Sequence, residues 1–105
     1  MHIVTRRHLG EVIAENPDAA NELKAWITVV EATRWKNFSE IAATFKDADS
    51  VDGYVIFNIR RNRYRLIMVV HYAKKNTAGH VYFRSFLAHK EYGNRSNWDR
   101  RFGTQ

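Results

Sequence analysis

The sequence predicts an α+β fold, with helices packed on one face of an antiparallel β-sheet in the order β-α-α-β-β-β and a short C-terminal tail or helix. Apolar residues recur at helical spacing in the first half of the chain and in strand-like runs in the second half. Helices followed by successive strands, rather than alternating with them, make an α+β layer. No proline- or glycine-rich stretch divides the chain and the only proline is Pro17, so residues 1–105 read as a single domain.

His2-Ile3-Val4 reads as a short first strand. Thr5 is expected to cap a helix running to about Glu15, with Leu9, Val12 and Ile13 at helical spacing. Gly10 within it costs roughly 1 kcal/mol relative to alanine, so this helix depends on packing. Asn16-Pro17 reads as an N-cap followed by proline at the first position of a second helix. Asp18 and Glu22 complement its positive end, and Arg34 and Lys36 its negative end. Leu23, Trp26, Ile27, Val30 and Trp35 form its buried stripe. Ser39 is expected to cap a short third helical turn, with Phe38, Ile41 and Phe45 facing inward.

Asp47 to Gly53 reads as a polar, acidic loop. Three strands are predicted to follow, at about Gly53–Arg60, Arg63–Tyr72 and His80–Ala88, the last two joined by a solvated loop holding Lys74, Lys75 and Asn76. Gly93 to Gln105 is a polar, basic tail with one weak helical turn around Trp98. That tryptophan either docks on the exposed sheet face or stacks a nucleobase. Trp26 and Trp35 read as core residues or a partner surface.

Four arginines fall between Phe57 and Leu66, beside regular apolar positions. A hairpin turning at Arg61-Asn62 opposes position 60 to 63, 59 to 64, 58 to 65 and 57 to 66. Opposed residues share a face of a pleated sheet. Asn58, Arg60, Arg63 and Arg65 are therefore expected on one face, with Phe57, Ile59, Tyr64 and Leu66 on the other. Gathering like charges on a sheet is unfavourable, and a polyanion relieves it.

Charge distribution points the same way. Residues 1–59 carry 6 Lys/Arg against 9 Asp/Glu, a net of −3, and residues 60–105 carry 11 against 2, a net of +9. A scaffold carrying one cationic surface suits a phosphate-bearing ligand, and a merely soluble basic protein is the other reading. No apolar run approaches the ~20 residues that span a bilayer. The N-terminus lacks the apolar stretch of a signal peptide. With no cysteine there is no disulfide framework and no thiolate metal site. A cytoplasmic location is the default expectation, with no membrane, metal or other cofactor involved.

Cationic side chains with a histidine and a tyrosine suit phosphodiester cleavage without metal. When RNA is cut by its own 2′-hydroxyl, a base removes the hydroxyl proton. Donors neutralise charge on the non-bridging oxygens, and an acid protonates the leaving 5′-oxygen. His89 is suited to either proton transfer. Arg65 and Arg84 offer bidentate donors to the transition state, and Tyr92 either stacks a base or donates a proton. Against this, Arg65 also reads as a solvated strand arginine and His89-Lys90-Glu91-Tyr92 as a plain strand exit. Arg95, Arg100 and Arg101 add charge from the tail. His71 reads as structural, and His2, His8 and His80 lack metal-ligand spacing.

The chain resembles the HigB toxins of bacterial toxin–antitoxin systems, within the RelE-like group of ribosome-dependent mRNA endonucleases. The resemblance is carried by Met1-His2-Ile3-Val4-Thr5, by Asn16-Pro17 between two helices and by Val55-Ile56-Phe57-Asn58-Ile59. It continues through Asn62-Arg63-Tyr64-Arg65-Leu66-Ile67 and His89-Lys90-Glu91-Tyr92. It implies a toxin that cuts mRNA in the ribosomal A site, beside ribosomal RNA, and a cognate helix-turn-helix antitoxin of the HigA kind. It implies a phosphate-stabilising role for Arg65 and catalytic roles for His89 and Tyr92. Lys90 falls near the position of a basic residue contributed after the last strand. Asn58 and Arg60 lie where relatives place basic catalytic side chains, and Arg61, Arg63 and Arg95 are expected to bind RNA. Two features depart from the pattern: Arg60-Arg61-Asn62 stands where the hairpin turn commonly has glycine, and Gly93 stands where an aspartate often follows the tyrosine. The alternative is a non-catalytic RNA- or ribosome-binding module that blocks translation.

Overall fold

A computed structural model describes residues 1–4 and 6–98. The expected Thr5 cap and the tail residues Arg100 and Arg101 lie outside the described residues. In chain order the elements are β1 (His2–Ile3), α1 (Arg6–Glu15), a 3-10 turn (Pro17–Ala19) and α2 (Ala20–Glu31). Next come α3 (Phe38–Thr44), β2 (Asp49–Val51), β3 (Tyr54–Ile59), β4 (Tyr64–His71) and β5 (His80–Ala88). The chain continues into α4 (His89–Tyr92) and a second 3-10 turn (Arg95–Asn97). The sheet has the order β1-β5-β4-β3-β2. It is antiparallel except at one edge, where β1 pairs parallel to β5. The α+β architecture is therefore the one expected, with a parallel edge strand and one further strand.

That further strand corrects the reading of Asp47 to Gly53 as a loop. Val51 pairs with Tyr54, and the two residues between them, Asp52 and Gly53, have φ of +50° and +86°. This is the Asp-Gly two-residue turn whose left-handed backbone matches strand twist. Two caps also differ from expectation. Asn16 makes no side-chain cap for the turn after it; its Nδ2 donates to the Val12 carbonyl at 2.9 Å, closing α1 instead. Asn37, not Ser39, caps α3, accepting from the Glu40 amide at 3.1 Å.

Alternation divides the sheet into two faces. Val55, Phe57 and Ile59 of β3, with Leu66 and Met68 of β4 and Val81 and Phe83 of β5, pack beneath α1, α2 and α3. Leu9, Val12, Leu23, Trp26, Ile27, Val30 and Ile41 close that core from the helices. Phe57 is its hub, with ring centroids 5.3 Å from Trp26, 5.2 Å from Phe45 and 6.4 Å from Trp35. Trp35 is buried, though it lies beyond the end of α2. Beside it, Arg34 donates to the Thr77 carbonyl at 3.3 Å and ties down the β4–β5 loop.

The opposite face is covered as well, by α4 and the segment after it. Trp98 docks there, buried with Ile56, Ile67 and Leu87. Its indole N–H donates to the Tyr92 carbonyl, the Ser85 hydroxyl to the Asn97 carbonyl and the Asn97 amide to the Glu91 carbonyl, each at 2.9 Å. The three longer helices therefore share one face, as expected, and the short C-terminal helix and tail cover the other.

A β-bulge makes this second packing possible. Met68 opposes Phe83 and Ile67 opposes Ser85, so Arg84 is an extra residue in β5. Before the bulge, Val81 and Phe83 face the helices. After it, Ser85 and Leu87 face the tail.

Candidate functional site

The β3–β4 hairpin has the register expected of it: Phe57 opposes Leu66, Asn58 opposes Arg65 and Ile59 opposes Tyr64. The Arg63 amide donates to the Arg60 carbonyl at 3.1 Å and closes a four-residue loop. Arg60 and Arg61 have φ of +55° and +59°. This left-handed conformation costs a side-chain-bearing residue roughly 1–2 kcal/mol, and glycine enters it freely. The loop thus keeps a glycine-type backbone while carrying two guanidinium groups.

Its arginines do not all share one face, as the strand pattern had suggested. Arg63 leaves the Arg65 side and meets Asp18 in the turn before α2, Nη1 to Oδ2 at 3.0 Å. The Tyr64 hydroxyl donates to the same carboxylate at 3.0 Å, and the Arg60 amide donates to Glu22 Oε1 at 3.0 Å. Strand alternation governs Arg65 inside the ladder but not Arg60 and Arg63 in the loop beyond it. Desolvation opposes ionisation of Asp18, but hydrogen bonds from Tyr64 and Arg63 outweigh it and hold the carboxyl below its ordinary range. Burial, followed by the Asp18 hydrogen bond and charge, pushes the Tyr64 phenol up. Arg60, Arg61 and Arg63 line an open cleft of about 620 Å³ with Glu22, Asp47 and Asn58. Asn58 is held there by its Nδ2, which donates to the Asp47 carbonyl at 3.3 Å.

Arg65, His89 and Tyr92 form a separate cluster, on the face the tail covers. Arg65 opposes Leu87, and the His89 amide continues the ladder by donating to the Arg63 carbonyl at 3.0 Å. The chain then turns into α4. Ala88 has no side-chain acceptor, so only half of a capping box forms, with Glu91 Oε1 accepting from the Ala88 amide at 3.2 Å. This single turn brings His89 and Tyr92 together at the Arg65 guanidinium. Arg65 Nη2 lies 3.3 Å from His89 Nδ1, Nη1 donates to the Asn62 carbonyl at 3.1 Å, and the guanidinium carbon stands 5.2 Å from the centre of the Tyr92 ring.

A guanidinium only donates, so in this contact Nδ1 of His89 stands as the acceptor and Nε2 is left facing outward from the pair. Tyr92 stacks on Trp98 with ring centroids 4.9 Å apart. Burial, then Asp49, pushes the Tyr92 phenol up against the opposing pull of Arg65 and Arg95. At neutral pH it is therefore a hydrogen-bond donor rather than a phenolate.

The remaining candidates sit at different distances from this cluster. Lys90 is exposed on α4, next to His89. Arg84, at the bulge, is three residues along β5 from Leu87, or roughly 10 Å at the usual rise of a strand. Arg95 binds Asp52 at 2.9 Å, and its guanidinium carbon lies 4.5 Å from the Trp98 ring centre, so it clamps the tail to the β2–β3 turn. Trp98 itself supports the stacked Tyr92 from beneath. Sequence reasoning did not anticipate the acceptors Asp18, Glu22 and Asp52, whose partners are 38 to 45 residues away. Among the described residues, no three His, Asp or Glu side chains form a group able to hold a metal, and no helix is long and apolar enough to cross a membrane.

With this geometry in view, the comparisons with known proteins are specific. The model of the HigB toxin family, the RelE-like toxic component of a toxin–antitoxin system, matches residues 19–95. The match takes in both the hairpin and the His89–Tyr92 turn. A search of curated proteins finds no match.

Proposed function

This chain belongs to the HigB toxin family, and from that premise we propose that it is an mRNA endoribonuclease acting on the ribosome. The observation that carries the proposal is the convergence of Arg65, His89 and Tyr92 from a strand and a separate helical turn, with the guanidinium anchored beside the imidazole. A phosphodiester set against Arg65 draws the guanidinium away from His89, and the freed Nδ1 lone pair takes the proton of the 2′-hydroxyl. The 2′-oxygen attacks phosphorus, and Arg65 and Lys90 meet the charge growing on the non-bridging oxygens. The bond to the 5′-oxygen breaks, and that oxygen takes a proton from Tyr92, which holds it at neutral pH. The products are a 2′,3′-cyclic phosphate and a free 5′-hydroxyl.

The exposed hairpin tip, with Arg60 and Arg61 on a strained backbone, supports a second role as the contact to mRNA or ribosomal RNA. Such a protein acts in the cytoplasm and is neutralised by its antitoxin. Primer extension on mRNA from expressing cells tests the reading. New ends within coding frames are expected from the wild type. Arg65→Ala should reduce cleavage roughly a hundred- to a thousandfold, and His89→Ala at least a hundredfold, with both proteins still folded. Intact messages during growth arrest would instead identify a binding module that blocks translation without cutting.

A further inference from the structure

Between α2 and the exposed end of β3 lies a second cleft, of about 140 Å³, walled by Ala25, Trp26, Val29, Phe45 and Ile59. Glu22 and Asn58 line both this hollow and the arginine-rich cleft, so an apolar pocket opens directly beside a cationic one. Trp26 is only 2% exposed, yet its indole N–H has no acceptor among the described residues. A buried donor left in this state is costly, and it belongs to a residue that walls the hollow.

We infer that this paired cleft is the docking surface for the antitoxin. An aliphatic side chain of the partner fills the hollow against the Trp26 ring, and neighbouring carboxylates reach Arg60, Arg61 and Arg63. The inference rests on the reading of the chain as a toxin with a protein antitoxin, and it specifies where that protein sits. The chemistry favours a protein over RNA. Apolar walls accept an aliphatic side chain, which nucleic acid lacks. Glu22, where the two clefts meet, is a hydrogen-bond acceptor that a peptide can answer with N–H donors and a phosphate backbone cannot. The arginines beside it give acidic side chains a matching place to land.

Ala25 is exposed on α2 and lines the hollow, whereas the hairpin arginines line the neighbouring cleft. Ala25→Leu therefore fills the hollow without disturbing the core. The probe is the purified cognate antitoxin, titrated calorimetrically and co-expressed in a growth-rescue assay. The variant is expected to arrest growth like the wild type, to escape rescue and to bind the antitoxin at least tenfold more weakly. The Trp26 indole N–H resonance of the wild type should shift in the complex, because the ring that walls the hollow is then covered; an unmoved resonance at saturating antitoxin overturns the inference. Unchanged affinity of Ala25→Leu overturns the inference. So does a folded Ala25→Leu that has lost toxicity, because the hollow would then belong to the toxic surface. If the wild type cleaves no mRNA, the endonuclease reading fails, but the calorimetry still decides the docking surface.

Discussion

The two faces of the sheet are built to different standards. Among the described residues, three helices and the strands enclose a cluster of eighteen buried residues on one face, while on the other Trp98 of the tail covers three. The thick face holds the fold, and Arg65, His89 and Tyr92 lie on the thin one. Burial on the scale of the first cluster stabilises a domain, whereas three residues beneath a short tail only orient what lies above them. Separating the tasks leaves the Arg65–His89–Tyr92 cluster, the proposed RNA site, on a thinly covered face without exposing the core.

The largest test of that contrast is Phe57→Ala. Removing the aromatic hub is expected to cost about 3–5 kcal/mol in urea unfolding and to abolish function with the fold. Trp98→Ala should cost up to about 3 kcal/mol and act locally. Hydrogen exchange is expected to rise in residues 89–97 while α2 and β4 stay protected, and toxicity to fall although the domain remains folded. Equal loss of protection on both faces would erase the distinction.

Arg61→Gly works in the opposite sense. It relieves a left-handed backbone at some cost in unfolded-state entropy, for a net gain of about 0.5–1 kcal/mol in chemical denaturation. If the arginine is held there to meet RNA, that more stable protein is less toxic.

The smallest effect belongs to Asp18→Asn at the clamp between the hairpin and α2. Because folding lowers the Asp18 pKa, its contribution is complete above the ordinary aspartate range and fades as pH falls through the lowered value. The variant should melt a few degrees lower at neutral pH, and the gap should close in acid.

Local pattern was enough to read the hairpin register, the α2 stripe of Leu23, Trp26, Ile27 and Val30, and the grouping of Arg65 with His89 and Tyr92. Period and register are local properties, and the grouping came from a motif spanning the hairpin and the strand exit. The destination of Arg63 was not legible, because a loop side chain obeys no alternation and its carboxylate is 45 residues away. The β2 strand was missed although Asp52-Gly53 announces a tight hairpin; acidic residues around it masked a short edge strand. Trp98 was left between two fates, since docking depends on a surface that exists only once β3, β4 and β5 are assembled.

The extra residue in β5 has a consequence for how such a toxin fails. Strand alternation has two phases, and Arg84 shifts the chain from one to the other just before it delivers His89. Losing that single codon would therefore straighten the ladder and leave Ser85 and Leu87 facing the tail as before, because Met68–Phe83 and Ile67–Ser85 would become consecutive regular pairs. The strand carries a spare residue ahead of His89, so a one-codon deletion there is absorbed by losing the bulge. A codon added to the regular ladder after it has no such reserve: Leu87 would turn towards the helices, and the imidazole would leave the strand on the wrong side of the sheet with every signature in the gene intact.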